Sequence, residues 1–556
     1  MSKFKNAFSS VYPTPQKRRK NYYILSDGWK LNKKNISVPY PPQSKLSFFE
    51  GKTEKNLSYT LDFPLPENLK NLPKGSKIYL NFCAVDQTAE ISLNGEKIAC
   101  HEGGYLPFKA EVTKLLKETN NLTVNARDAL SHKYPYGKQR KKRGGMWYTP
   151  VSGIWGSVYL EVCGEDEIKS FAFTPDLSGV KVDIDCLKPC VIEVVLPSGK
   201  KLVKNKTKSC YIAVPDDEVR LWSPDSPYLY ETKIKNDTDE VKTYFALRTF
   251  KTEIVNGTPL FLLNGKPIFL SCVLDQGYFE GGIFLPENPD EWEKDILRMK
   301  SLGFNSLRKH IKIEPEIFYE ACDRLGMLVL QDMVNSGSYK YFRQTVLPTI
   351  GLKFGLDKRI FATKRRKFFI EHTLETVKTL FNHPSVVGWT IFNEGWGQFN
   401  SDKIYSLVKA ADPTRFIDST SGWFARKKSD VKSEHIYFHN RLLKGNGKQV
   451  LFLSECGGYG RAVKGHLFAE KLYGYGKTAA SAEELTDKFK LLIDEMIIPS
   501  LKNGLCGFVY TQLSDVEDEI NGLYTYDRQV LKVDEKRVKC LIDKVNKLFN
   551  ELHSNT

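Results

Sequence analysis

The sequence has no apolar run long enough to span a membrane, and its basic N-terminal segment holds no hydrophobic stretch of the kind a secretion signal needs. A cytoplasmic protein with no membrane partner is the expectation. Cysteine is sparse as well. Eleven cysteines, an odd number, are scattered from Cys83 to Cys540, which argues against a disulfide scaffold and for reduced thiols. Cys186 and Cys190 alone approach a metal-knuckle spacing, and no second Cys or His pair accompanies them, so no metal and no cofactor are expected. Net negative charge is absent: 82 Lys and Arg against 66 Asp and Glu give +16. The lysines are spread along the whole chain. The densest basic clusters, Lys17 to Lys20 and Lys138 to Arg143 (KQRKKR), adjoin Tyr-, Gly- and Pro-rich segments that read as loops. Nucleic acid is therefore not an expected partner.

What is present is a folded composition, 41% hydrophobic with 12% aromatic, in a chain of 556 residues. That length exceeds one hydrophobic core and calls for several domains. From about Trp29 to Val162 the pattern is short alternating segments broken by turns: KIYLNFCAV, AEISLNGEKIA with its Asn94-Gly95 turn, NLTVNARDA and GIWGSVYLEV. This predicts an all-β sandwich of the jelly-roll-like kind over residues 1–164. Further short strands (VKVDIDCL, CVIEVVLPSGKKL, SCYIAVP, LWSPDSPYLYETKI) predict a small immunoglobulin-like sandwich over 165–250.

After Phe250 the period changes and strand and helix alternate over 251–556. PIFLSCV precedes a helix from Asp290, a plausible N-cap, to Leu302, with Trp292, Ile296 and Met299 on one face. FNSLR precedes a helix from Pro315 to Gly326. MLVLQD, a helix to Asn382, VVGWTIFNE, the helix Asp402 to Ala411, RFIDST, EHIYF, VLFLSE, a long helix from about Ala482 to Lys502 and GFVYTQL complete the series. Eight strand candidates predict a (β/α)8 TIM barrel, whose chemistry sits at the C-terminal strand ends. Two of those strands end in carboxylates: the fourth runs into Asn393 and Glu394, and the seventh ends on Glu455. This is the arrangement needed to hold an acid and a nucleophile on either side of a glycosidic bond. A separation of about 5 Å predicts double displacement with retention.

The order of sandwich, immunoglobulin-like domain and barrel resembles glycoside hydrolase family two, the family of the β-galactosidases and β-glucuronidases. The likeness is carried by SLNG at Ser92, SGIWGSVYLE, LWSPDSPYLY, GFNSLR, DRLGMLVLQD, NHPSVVGWTIFNEG and LSECGG. It implies Glu394 as general acid and base, Glu455 as nucleophile, Asn393 on the sugar 2-hydroxyl and Arg308 holding the nucleophile ionised. It also implies Tyr437 near the nucleophile and Tyr510 where the family usually has a Trp under the sugar. His310, two residues beyond Arg308, either binds a hydroxyl or caps its strand, and stands one residue closer to the arginine than is usual.

Departures from the family patterns bear on the sugar. The Asn-x-Lys element of β-glucuronidases is replaced by EINGLYTYDR, with Glu519 and Asn521 in those places and no lysine. Lys309 and Lys312 are the other candidates for a carboxylate contact. The GVNRH-type element of β-galactosidases is replaced by CVLDQGY, which offers Asp275 and Gln276 to sugar hydroxyls. The E-x-H magnesium pattern is replaced by QDMVNSGS, so no metal is required. The expectation is a retaining exo-β-glycosidase acting on a carbohydrate, with β-galactosidase first. The alternatives are a β-hexuronidase (β-glucuronidase or β-galacturonidase) with a non-standard carboxylate site and a non-catalytic carbohydrate-binding protein. A homo-oligomer is compatible with the resemblance.

Overall fold

A computed structural model describes residues 6–349, 352 and 363–554 of the chain. The N-terminal sandwich packs a four-stranded sheet on a six-stranded one. Its longest pair shows why these sequences form strands: Asn56–Pro64 runs antiparallel to Thr119–Arg127 in unbroken register from Asn56↔Arg127 to Pro64↔Thr119. Leu57, Tyr59, Leu61 and Phe63 alternate into the core, facing Leu122, Val124 and Ala126. Asn94 and Gly95 close the adjoining hairpin with φ of 54° and 86°, the left-handed pair that a tight two-residue turn requires.

The second sandwich pairs a three-stranded sheet (Ser170–Pro175, Gly179–Asp185, Ser209–Ala213) with a four-stranded one (Lys201–Thr207, Cys190–Val195, Tyr230–Lys235, Glu240–Phe245). Only short 3-10 turns interrupt the strands of the two sandwiches among the described residues. Cys186 and Cys190 bring their sulfurs to 3.7 Å. Buried Arg19 joins both sandwiches through Glu161 at 2.9 Å and Asp239 at 2.8 Å. Trp222, of the LWSPDSPYLY segment, donates its indole N–H to the Asp323 carbonyl at 2.7 Å and so docks the second sandwich on the barrel.

The barrel strands are β1 (Leu270–Asp275), β2 (Ser306–Lys309), β3 (Leu328–Asp332), β4 (Val386–Thr390), β5 (Phe416–Asp418), β6 (Val431–Ile436), β7 (Val450–Gly457) and β8 (Leu505–Thr511). Parallel ladders link them in the order β5-β4-β3-β2-β1-β8-β7-β6. The seam between β5 and β6 is bridged by the Asp430 carboxylate on the Ile417 N–H and by the Ser433 hydroxyl on Asp418. The hairpin Phe250–Val255/Thr258–Leu263 closes the barrel floor, where Phe261 meets Phe416 and Phe452.

Helices α1 (Asp290–Ser301), α2 (Glu316–Leu325), α3 (Lys364–Leu380), α4 (Ser401–Ala411), α5 (Ala482–Leu492) and α6 (Glu535–Leu552) surround the strands. Gly326 ends α2 at φ 72°, its N–H on the Cys322 carbonyl. Two expectations shift. Asp290 is the first residue of α1 rather than its cap; Pro289 precedes it, and three acidic residues in the first turn favour the positive helix end instead. The expected single helix from 482 to 502 is interrupted by a wide turn at Ile493–Ile497, because Pro499 has no N–H to offer one turn back. No described helix is long and apolar enough to cross a membrane.

A long loop of the first sandwich, Leu130 to Thr149, arches over the C-terminal mouth of the barrel. Tyr136 donates its N–H to the Asn335 carbonyl at 3.1 Å and its hydroxyl to the Gly337 carbonyl at 2.9 Å. Gly137, at φ 68°, lies so close to the Ile311 carbonyl that an added Cβ would sit 2.9 Å from it. At its far end the loop is fixed to the segment after β8: Tyr148 donates to Glu519, Arg143 pairs with Asp518, and the Thr149 N–H reaches Glu517 at 3.0 Å.

Candidate active site

The side chains at the mouth follow from the period of two along each strand. On β2, Arg308 points into the barrel and Lys309 out of it. Arg308, 1% exposed, donates Nε to Asp332 at 2.9 Å, Nη1 to Glu455 at 3.1 Å and Nη2 to the Asn393 amide oxygen at 2.9 Å. His310, on the same face, meets the other Asp332 oxygen at 2.7 Å. Asp332 thus orients both groups. Burial opposes its charge, but Arg308 and His310 outweigh burial and hold its carboxyl below the usual range.

Glu394 follows β4 in a left-handed backbone conformation, φ 50°, with its N–H on the Ser421 carbonyl at 2.9 Å. Such a conformation costs a non-glycine residue about 1 kcal/mol and is characteristic of functional turns. Its carboxylate meets His435 Nδ1 at 3.1 Å and the Tyr339 hydroxyl at 3.4 Å. His435, on β6, stands between the two glutamates: Nδ1 is also 3.5 Å from Glu455, and Nε2 is 2.9 Å from the Ser421 hydroxyl. Tyr437 donates its hydroxyl to the second Glu455 oxygen. Burial alone would raise the Glu455 carboxyl. His435, Arg308, His310 and the Tyr437 hydrogen bond together pull it down to about 2, so it is ionised at neutral pH.

One oxygen of Glu394, one oxygen of Glu455 and a His435 ring nitrogen lie within 4.8 Å of one another. These three could hold a cation, although Arg308 and Tyr437 already engage both oxygens of Glu455. The site therefore unites Glu394, Glu455, Asn393, Arg308, His310 and Tyr437.

Asp275 and Tyr510 fall elsewhere, for one reason. Asp275 pairs in register with outward-pointing Lys309. One of its oxygens takes the Lys309 ammonium at 2.6 Å and the other the Gly277 N–H at 2.8 Å, both outside the Glu394 and Glu455 cluster. Tyr510 also faces outward, its ring 5.1 Å from Phe489 of α5, while the next residue, Thr511, meets Tyr437 at 3.2 Å. Lys309 and Lys312 are bound up with Glu314 at 2.7 and 2.8 Å. Burial pushes the Lys312 amine down to about 8. Gln276 joins a chain through Gln512 (2.9 Å) and Asn521 (2.7 Å) to Glu519 (3.0 Å).

Asp332, His435, Tyr339, Tyr148 and Lys138 were missed in the sequence. Two carried a signal: Asp332 ends MLVLQD as Glu455 ends VLFLSE, and His435 precedes Tyr437 by two residues on one strand face. Burial raises the carboxyl of Glu519, opposed by the charge of Lys138 on the arch, and lowers the ring of His310, to which the same charge adds.

Residues 254–443 match the family model described as glycosyl hydrolases family 2, TIM barrel domain, and residues 31–154 match the glycosyl hydrolase 2 galactose-binding domain-like model. The barrel match includes Arg308, His310, Asn393, Glu394 and Tyr437 and ends before Glu455. Among curated relatives, a putative beta-glucuronidase of Formosa agariphila is 27% identical over 62% of this chain and 32% of its own length. A beta-galactosidase of Thermoanaerobacter pseudethanolicus is 26% identical over 56% of this chain and 44% of its own. The matched stretch thus spans under half the length of either relative. Solved structures match more fully. A beta-D-glucuronidase of Dictyoglomus thermophilum (TM-score 0.73, 19% identity) and a beta-galacturonidase of Eisenbergiella tayi (TM-score 0.68, 19% identity) each cover 96% of this chain, and 98% and 99% of their own. With both family models matched in order and the two-sandwich-and-barrel architecture shared with those structures, the chain belongs to glycoside hydrolase family 2.

Proposed function

We propose that the protein is a retaining, exo-acting β-glycosidase that uses Glu455 as nucleophile and Glu394 as acid and base. The observation that carries this is the approach of the two carboxylates to within 4.8 Å. Retaining enzymes hold the pair about 5 Å apart, and inverting ones leave about 6.5 Å or more for a water. Ionised Glu455 attacks the anomeric carbon while Glu394 protonates the departing oxygen. Arg308 fixes the nucleophile and also takes the Asn393 amide oxygen, leaving the amide N–H groups to donate to the 2-hydroxyl. Once Glu455 carries the glycosyl group its charge is gone, and Glu394 draws a proton from water for the second displacement. The arch of residues 130–149 over the mouth supports removal of terminal units. Eleven free cysteines support a reducing, cytoplasmic setting.

For the sugar, a neutral β-galactoside is the first reading: Lys309 and Lys312 are already paired with buried carboxylates, which leaves neither ammonium for a uronate. A β-hexuronide is the second, favoured by the basic residue Lys138 on the arch and by the names of the solved relatives. A panel of nitrophenyl β-glycosides separates them. Proton NMR of the first-formed product tests the mechanism: β-anomer first is expected, α-anomer first refutes retention, and no turnover of any glycoside refutes the glycosidase reading.

A further inference from the structure

Beyond Lys138, the basic run that continues to Arg143 is not used in the chemistry above, yet the fold brings it to the rim of the mouth. There it borders a cleft of about 740 Å³ whose walls include Trp147, Tyr339, Tyr341, Tyr473, Arg140 and Lys141. Three observations place this cleft on the Glu394 side. The Tyr339 hydroxyl reaches Glu394 at 3.4 Å. Trp396, two residues beyond Glu394, packs on Trp147 with centroids at 5.1 Å and on Tyr339 at 5.7 Å. Trp147 and Tyr339 also meet each other at 5.2 Å. Glu455, by contrast, is enclosed by Arg308, His435 and Tyr437. Because the acid must sit beside the departing oxygen, the space next to Glu394 receives the leaving group.

The chemistry of that space is specific. Aromatic faces suit the flat apolar faces of sugar rings, and the arch adds cations. Arg143 is paired with Asp518. Arg140 and Lys141 are exposed and make no ion pair within 4 Å among the described residues. We propose that this cleft is a leaving-group subsite for a negatively charged saccharide, stacked on Trp147 and the neighbouring tyrosines and attracted by Arg140 and Lys141. The inference rests on the glycosidase reading, with Glu394 as its acid. It assigns to the first sandwich a part in choosing what the terminal sugar is attached to.

The test uses the full-length protein and three aryl glycosides of whichever sugar it cleaves, with 4-carbamoylphenol, 4-carboxyphenol and 4-sulfophenol as leaving groups. At low salt, kcat/KM for the two anionic substrates should exceed that for the neutral one by about three- to tenfold, since exposed charge pairs are individually weak. The advantage should vanish in about 1 M salt, where screening acts over about 3 Å. A carboxylate-only or sulfonate-only advantage identifies which acidic group is read. Arg140→Ala/Lys141→Ala should bring the anionic-to-neutral ratio to about one, and thermal unfolding checks that the variant is folded. An anionic-to-neutral ratio near one in the unaltered protein, or a ratio unchanged in the variant, overturns the proposal while leaving the glycosidase reading intact. No hydrolysis of any aryl glycoside overturns both.

Discussion

Replacing Tyr437 by Phe tests how the nucleophile is kept ionised. The Tyr437 ring stacks on Tyr475 at 4.8 Å and 11°, so Phe keeps the packing and deletes only the hydroxyl that donates to Glu455. A hydrogen bond to a charged group contributes about 1.5–3 kcal/mol, and one pKa unit corresponds to about 1.36 kcal/mol. The Glu455 carboxyl should therefore rise by about one to two units from its wild-type value of about 2. The sign follows directly. A carboxyl held low is ionised at every pH above its pKa, so raising it moves the loss of nucleophile to higher pH. At pH 4, a two-unit rise takes the ionised fraction from about 99% to about half. Arg308 is the poorer choice of variant, because its removal strips buried Asp332 of its guanidinium partner and leaves it only His310, at a cost of about 3–5 kcal/mol. The assay is kcat/KM for a 2,4-dinitrophenyl glycoside from about pH 3 to about pH 8, a leaving group that needs no proton and so keeps Glu394 out of the first step. Circular dichroism in the same buffers checks folding. An acid limb that does not move in Tyr437→Phe, or a wild-type limb already near the ordinary glutamate value, would refute this account of the charge balance.

Glu455→Ala should lose all measurable turnover while folding normally by circular dichroism; residual wild-type-like activity would assign the nucleophile elsewhere. Glu394→Ala should slow glycosides of poor leaving groups by about 10²–10⁴-fold and dinitrophenyl glycosides far less in the glycosylation step, with equal losses contradicting its role as acid. Asp275→Ala strips Lys309 of one of its two buried carboxylates, so it should destabilise the fold by about 3 kcal/mol in thermal or denaturant unfolding with little change in KM. A large KM effect without destabilisation would return Asp275 to the sugar site. Tyr510→Phe removes a buried hydroxyl that has no hydrogen-bond partner among the described residues, so Tm and kcat/KM should stay at wild-type values; a fall in kcat/KM would mean that the hydroxyl reaches substrate.

The architecture was legible because each layer has its own period. Leu57, Tyr59, Leu61 and Phe63 repeat every second residue, Trp292, Ile296 and Met299 every three to four, and both repeats survive folding unchanged. The two glutamates were legible for a different reason: an apolar strand of a barrel that stops on a carboxylate brings that charge to the C-terminal rim, where the mouth lies. The same rule needs its phase as well as its period. Asp275 and Tyr510 also lie at strand ends, but each is one residue out of step with an inward neighbour, and one residue on a strand is the difference between substrate and helix layer. Arg308 and Lys309 show both outcomes side by side. Phase could have been set from Arg308, since a guanidinium that must reach Glu455 fixes His310 inward and Lys309 outward, and the parallel register then carries Asp275 outward with Lys309. What no local pattern contains is the arch. Lys138, Tyr148 and Trp147 reach the mouth from the first sandwich, and Tyr148 meets Glu519 across 371 positions of chain. Such a contact is set by how two domains dock, which is why the proposed catalytic pair could be read from the barrel segments alone while the arch beside it could not.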